Sequence, residues 1–352
     1  MPPPYLRAAL RAFEPYVPGQ QPPDGEGWVK LNTNESPWPP SPRVLAAVRE
    51  AVDGTLRLYP SPTGRAAREA IARRHGVEPE QVLVGHGGDE LIELCFRAFA
   101  GPGDRVAIAP PTYPLFEPLC AVHQATPGRH PQGAGWELPA SFASDPAPLK
   151  FLVNPNSPTG CWLDRQAVEA VAHQTPGVLA LDEAYVDFAP ADRLDLVRAG
   201  TPNLLLLRTF SKSYALAGMR IGYAVGPPAL IAALDLVKDS YNVDRLALVA
   251  AVAAVEDVEY HRRLVDFVVG ERAWLSERLR AAGFEVLPSA TNFVFARPPA
   301  GRDAGALHAA LGERRVLVRH YDRDPIAGWF RVSVGTREQH EALLQALREV
   351  MA

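Results

Sequence analysis

From about Leu31 to Tyr241 the chain alternates short apolar runs with helix-patterned segments, and the runs stop on polar clusters. "QVLVGHGGDELIELCFRAFA" reads as strand, glycine turn and helix. "RVAIAPPTYPLF" and "LKFLVNPNSPTG" read as strand then turn. "VLALDEAYVDF" and "NLLLLRTFSKSY" are further strands that end on polar residues. Strands alternating with helices predict a mostly parallel sheet covered on both faces. In such sheets ligands bind at the carboxyl ends of the strands, and every cluster just quoted lies at such an end. From about Asp244 to Ala281 the pattern is helical. The strand-like runs "NFVFAR", "VLVRH" and "WFRVSVG" follow, and then a last helix, "REQHEALLQALREVM". The expected fold class is therefore α/β: a Pro- and Gly-rich arm over 1–30, a large domain over 31–243, and a smaller α+β domain over 244–352. No internal repeat is visible.

Bulk properties narrow the function. The chain has 352 residues, 47% hydrophobic and 22% charged, with a formal net charge of -4. These values suit a soluble globular protein. No block of basic residues offers a surface for nucleic acid. No apolar run approaches the roughly 20 residues of a membrane span, and the N-terminus shows no secretory apolar region. Cys95, Cys120 and Cys161 are scattered without CxxC spacing, which reads as reduced cysteines in a cytoplasmic enzyme, with neither a metal site nor a disulfide framework.

The polar clusters have chemistry in common. Lys212 stands between two serines directly after an apolar strand, where a lysine is seldom placed. A lysine there can act as an amine nucleophile and form a Schiff base with an aldehyde. Asp182 ends "GVLALD". A carboxylate there costs several kcal/mol unless a cation faces it, and a cationic ring nitrogen is one such partner. Tyr185 follows within reach of the same ring. In "GHGGDELIEL" the glycines admit a ligand close to the backbone, and the helix start offers free N–H groups to a phosphate. Asp89 and Glu90 also suit a first helical turn. Ser211 and Arg220 can add a hydroxyl and a guanidinium to the same phosphate. An aldehyde, a pyridinium nitrogen and a phosphate on one small molecule describe pyridoxal 5'-phosphate.

With these residues in view, the chain resembles the fold-type-I pyridoxal-phosphate aminotransferases, the aspartate aminotransferase-like fold, and within them the histidinol-phosphate branch. "LNTNESP", "RLYPSPTG", "GHGGDE", "PPTYPLF", "NPNSPTG", "LDEAYVDF", "RTFSKSYALAGMRIGY", "TNFVFA" and "FRVSVGT" occur in the family's order over nearly the whole chain. The resemblance implies that Lys212 carries the cofactor and shuttles the proton. It implies that Asp182 pairs with the ring nitrogen, that Tyr185 bonds the ring hydroxyl, and that Tyr113 stacks on the ring. Gly88, Asp89 and Glu90 at the helix start, with Ser211 and Arg220, would hold the phosphate. Tyr59 would reach that phosphate from the other subunit of a homodimer. Arg331 would clamp the substrate anion, with Arg319, Tyr16 and Asn34 nearby. One position departs from the family: Ser157 stands where asparagine usually precedes "PTG", after Asn156. A water bridge, substitution by Asn156, or loss of that bond to the ring hydroxyl oxygen are the three arrangements open to it.

The activity implied is transfer of an amino group between histidinol phosphate and 2-oxoglutarate, yielding imidazole-acetol phosphate and glutamate in histidine biosynthesis. Both substrates are anionic, and an arginine fork matches carboxylate and phosphate alike. An aromatic amino-acid aminotransferase or a threonine-phosphate decarboxylase would keep the cofactor residues and change the specificity pocket. A transcription regulator with an aminotransferase-like domain would need a DNA-binding module and a basic patch, for which this chain offers no segment.

Overall fold

The computed structural model describes residues 5–7, 10, 19–22 and 27–351. Its strands are β1 (Val29–Leu31), β2 (Val82–Gly85), β3 (Arg105–Ile108), β4 (Thr126–Arg129), β5 (Leu149–Val153), β6 (Val178–Asp182), β7 (Leu204–Thr209), β8 (Gly222–Val225), β9 (Glu285–Val286), β10 (Phe293–Arg297), β11 (Val316–His320) and β12 (Phe330–Ser333). Seven of them form one sheet in the order β2-β8-β7-β6-β5-β3-β4. Only β8 runs against its neighbours, so the sheet is mostly parallel, as the alternation predicts.

The runs at its centre are apolar throughout because both faces are covered. Alternate residues of a strand point to opposite faces. Leu152, Leu179, Leu181, Leu204 and Leu206 accordingly join one core cluster, while Phe151, Val153, Ala180, Leu205 and Leu207 join another. Full burial of one such side chain contributes about 1.5–3 kcal/mol. The register aligns the strand ends: Asp182 lies opposite Val153 on β5 and Leu207 on β7. The polar residues that follow these strands therefore emerge at one level.

The second sheet has five strands in the order β1-β11-β12-β10-β9. β1 pairs parallel with β11, so residues 29–31 belong to the smaller sheet and the boundary drawn at residue 31 cuts through this strand. A helix over Arg245–Glu256, started by Asp244 accepting from the Ala247 N–H at 2.9 Å, packs against the helices Pro42–Glu50 and Arg65–His75. That contact ties residues just past 243 to the larger body. The long helix Val258–Ala281 then crosses to β9 and β10. Tyr185, Phe188, Leu264, Val268, Phe293 and Val334 share one apolar cluster at the joint between the two bodies.

Candidate active site

A cleft of about 230 Å³ opens at the carboxyl ends of β5, β6 and β7. Gly88, Asp89, Tyr113, Ser157, Asp182, Tyr185, Ser211, Lys212 and Arg220 line it, so nine residues named from sequence meet in one place.

Asp182 is the last residue of β6 and is only 8% exposed. Its Oδ1 accepts from the Ala184 N–H at 2.9 Å, and among the described residues no cation forms an ion pair with it. Burial, helped by the charges of Asp89 and Glu183, pushes its carboxyl up to about 7. A ligand cation placed against it would restore the ionised form. Behind it, Glu183 points the other way into a buried pair with Arg208, at 2.9 Å from Nε and 2.7 Å from Nη2. The neighbouring carboxylate is thereby satisfied, and of the two only Asp182 lines the cleft.

Lys212 is half-buried in the loop after β7, with Nζ 5.8 Å from the centroid of the Tyr185 ring. Burial lowers its pKa to about 8, Arg331 and Arg220 push the same way, and Glu35 opposes them. An amine so depressed is nearer the neutral, nucleophilic form at physiological pH. The Tyr185 hydroxyl accepts from Asn34 Nδ2 at 3.0 Å. Asn34 in turn is held by Ser333 Oγ on β12, 2.8 Å from its N–H, and by Asn292, whose Nδ2 donates to its carbonyl at 3.0 Å.

Across the cleft, the helix Gly87–Phe99 begins with no side-chain cap, which leaves its first N–H groups open to an anion. Gly87 has φ +83°, and a Cβ there would stand 2.9 Å from Arg220 Nη2, so only glycine admits the guanidinium so close. Arg220 is oriented by the Ala217 carbonyl at 3.1 Å and by Asp89 at 3.5 Å. Asp89 also accepts from the Tyr113 hydroxyl at 2.9 Å. Ser211 is buried, its hydroxyl 2.9 Å from that of Thr209.

The other named residues are placed elsewhere. Glu90 turns away from the cleft and accepts from the His86 N–H and, at 2.8 Å, from Asn242. Asn156 donates to the Pro111 carbonyl at 3.0 Å and to Thr159 Oγ1 at 2.9 Å, so its amide is committed to its own loop and to the segment after β3. Ser157 is the residue of this pair that faces the cleft, 3.4 Å from Arg331 Nη1. Tyr59 is 78% exposed and stacks on Tyr241 at 4.5 Å, outside the cleft of its own chain. Tyr16 lies outside the described residues.

Arg331 comes from the smaller sheet. Nη2 donates to the Asn32 carbonyl at 3.1 Å and the guanidinium lies over Phe293 at 5.4 Å. Arg319 is directly opposite Arg331 in the β11–β12 pairing, and cross-strand partners share a face. Two guanidiniums on one face can both donate to a single anion. Thr33, Glu35, Arg208 and Thr209 also line the cleft and were not singled out from sequence. Glu35 stands one residue beyond Asn34 in "LNTNESP", which was the available signal.

A depressed lysine amine, a buried carboxylate awaiting a cation, and an anion cradle at a helix start are the apparatus of an enzyme that works on carbonyl and amine groups. Pyridoxal phosphate carries groups that match all of these. The comparisons agree. The family model for aminotransferase class I and II matches residues 26–347, and the chain belongs to that family. Histidinol-phosphate aminotransferase of Geotalea uraniireducens is 42% identical over 345 residues, covering 98% of this chain and 99% of the relative. The enzyme of that name from Geobacter sulfurreducens is 42% identical over 352 residues, with 98% and 99% covered. Among solved structures, histidinol-phosphate aminotransferase from Sinorhizobium meliloti in complex with pyridoxal-5'-phosphate matches with a TM-score of 0.84 and 32% identity, covering 91% of this chain and 90% of that one. The chain is a transaminase.

Proposed function

We propose that this transaminase moves an amino group between histidinol phosphate and 2-oxoglutarate. The observation that carries the reading is the cross-strand pairing of Arg319 with Arg331, whose Nη1 lies 3.4 Å from Ser157 Oγ in the cleft lining. A phosphate ester with nearly two negative charges near neutral pH suits such a pair. The relatives named above, alike over the full chain, support the same substrate.

The residues present fit pyridoxal 5'-phosphate. Lys212 would hold it covalently and Asp182 would face its ring nitrogen. Tyr185 and Tyr113 would contact the ring. The Gly87–Phe99 helix start, Ser211 and Arg220 would hold the phosphate. Bound there, the cofactor supplies an aldehyde for the amine and an electron sink for the substrate carbon. The chain's own part is electrostatic and positional. Asp182 keeps a negative charge opposite a protonated nitrogen. Lys212 Nζ would take the proton from the substrate α-carbon as general base and deliver it, as general acid, to the carbon that was the cofactor's aldehyde. Arg331 and Arg319 fix the anionic end, which sets the α-carbon before Lys212. Formation of glutamate from histidinol phosphate and 2-oxoglutarate by the purified chain with pyridoxal phosphate tests the reading, and no glutamate would overturn it.

The working unit in this proposal is a homodimer in which Tyr59 serves the partner's site. Leu56, Leu58, Tyr59 and Tyr241 are all exposed, an apolar surface suited to a second copy. Mixing inactive Tyr59→Ala and Lys212→Ala chains should regenerate one intact site per heterodimer. Demonstrated heterodimers without recovered activity would exclude a contribution in trans. We also place the enzyme in the cytoplasm, a reading supported by Cys95, Cys120 and Cys161, which are all free thiols.

A further inference from the structure

Behind Lys212, on the side away from the cleft, lies a polar cluster that the chemistry above does not use. Ser213, the next residue in the chain, is buried and donates its hydroxyl to Asp187 Oδ2. Asp187 sits two residues after Tyr185, in the turn Val186–Phe188. His261, in the first turn of the long helix Val258–Ala281, reaches this pair from the other body. Its Nε2 lies 3.6 Å from the same Asp187 oxygen, and its ring stacks on Tyr214 at 4.1 Å with 19° between the planes. His261 is 8% exposed, and among the described residues its Nε2 makes no hydrogen bond. Leaving a buried polar atom at ion-pair range, one step short of a bond, is unfavourable, so packing is holding the ring in that place. Although burial alone would raise it, the Asp187 carboxyl is kept well below the usual carboxylate range by His261, Arg208 and Ser213.

The same helix holds the Val186–Phe188 turn a second time. Arg272 Nη1 donates to the Phe188 carbonyl at 3.1 Å and to the Thr291 carbonyl at 2.7 Å. Thr291 leads into β10, where Phe293 underlies Arg331. One helix therefore touches both segments that flank the lysine and tyrosine of the cleft, and the strand beneath the anion-binding arginine.

We propose that His261 is a positioning residue for Lys212: with Asp187, Ser213 and Tyr214 it clamps the lysine-bearing loop to the long helix, and so fixes Lys212 in the same frame as Arg331. His261 touches neither substrate nor cofactor. Its effect passes through the aim of the lysine amine, which governs proton transfer more than binding. The inference rests on the proposed role of Lys212.

The test uses the holoenzyme and two substitutions. His261→Phe keeps a ring over Tyr214 and removes the nitrogen facing Asp187. It should lower kcat about tenfold while KM for both substrates stays within about twofold. Read without substrate, the pH at which the holoenzyme's visible absorption band titrates should move by about half a unit or more. His261→Gln restores an N–H donor of similar reach and should bring kcat back to within about threefold of wild type. A folded His261→Phe enzyme with unchanged kcat and unchanged band overturns the proposal. So does a Gln variant no better than Phe, with KM and melting temperature falling alongside kcat, because that is the behaviour of packing alone. If His261→Phe does not fold, Gln is compared with the shorter Asn: a kcat loss only in Asn supports the clamp, and equal values overturn it. A wrong role for Lys212 shows separately, because the visible band of the holoenzyme would then survive Lys212→Ala.

Discussion

The two walls of the cleft are built on different principles. On the larger sheet the functional groups follow strand ends. Asp182 closes β6, Ser211 and Lys212 come just after β7, and Gly88 lies at the start of the helix that follows β2. Each is placed by where its own strand stops, and the shared register of Val153, Asp182 and Leu207 brings the ends level. On the smaller sheet the groups lie within strands. Arg331 and Arg319 share one face of that sheet because β11 and β12 pair antiparallel in one particular register. A slip of one residue would turn a whole row to the opposite face. The first wall is thus set locally and the second by long-range pairing. In the function proposed, the first holds groups any amino donor requires, and the second holds groups that choose among donors.

That division can be broken by substitution, and the largest effect belongs to the first wall. Lys212→Ala removes attachment and proton transfer together and should lower turnover by about four decades or more. Borohydride reduction of the wild-type holoenzyme should map the cofactor to Lys212, and an adduct on another lysine would refute the assignment. Asp182→Asn comes next. Removing one member of a buried charge pair costs roughly 3–5 kcal/mol, so turnover should fall by about two to four decades for every donor alike. A loss below about fivefold with cofactor fully bound would show that the charge is not used.

The second wall should respond selectively. A charge-assisted hydrogen bond contributes roughly 1.5–3 kcal/mol. Arg319→Ala should therefore lower kcat/KM for histidinol phosphate by about one to two decades and spare phenylalanine. Equal losses for both donors would assign Arg319 to structure. The smallest effect concerns stability. The Lys212 amine is lowered to about 8 from an ordinary 10.5. Between those values the unfolded chain binds the proton and the folded chain does not, so stability rises with pH across that window. Melting of the cofactor-free protein from pH 8 toward 10 should show a larger rise in wild type than in Lys212→Met. Parallel curves would mean that the amine is not desolvated.

The same contrast explains how much could be read from the sequence. A polar residue closing an apolar run is visible in one dimension, and that pattern led to Asp182, Ser211, Lys212 and the glycine turn before Asp89. Side-chain direction is not visible that way. Glu90 and Asn156 belong to the right segments, yet Asn242 and the Pro111 carbonyl draw them elsewhere. Glu35 lines the cleft from a segment already singled out, without a pattern of its own. The attachment of β1 to the smaller sheet joins residues 29–31 to 316–318, and three residues of strand carry no sign of so distant a partner. The opposition of Arg319 and Arg331 comes from the strand register, which is likewise not visible in one dimension. His261 and Asp187 are far apart in sequence and meet only because the long helix crosses between the bodies.

The claim that the second wall selects a phosphorylated donor is tested most directly on the wild-type enzyme. With 2-oxoglutarate as acceptor, kcat/KM is measured for histidinol phosphate and for phenylalanine under one set of conditions. The facing arginines predict a clear preference for histidinol phosphate, by at least the one to two decades that an Arg319 contact contributes. A preference for phenylalanine would contradict the account and leave the opposed arginines to some other anion.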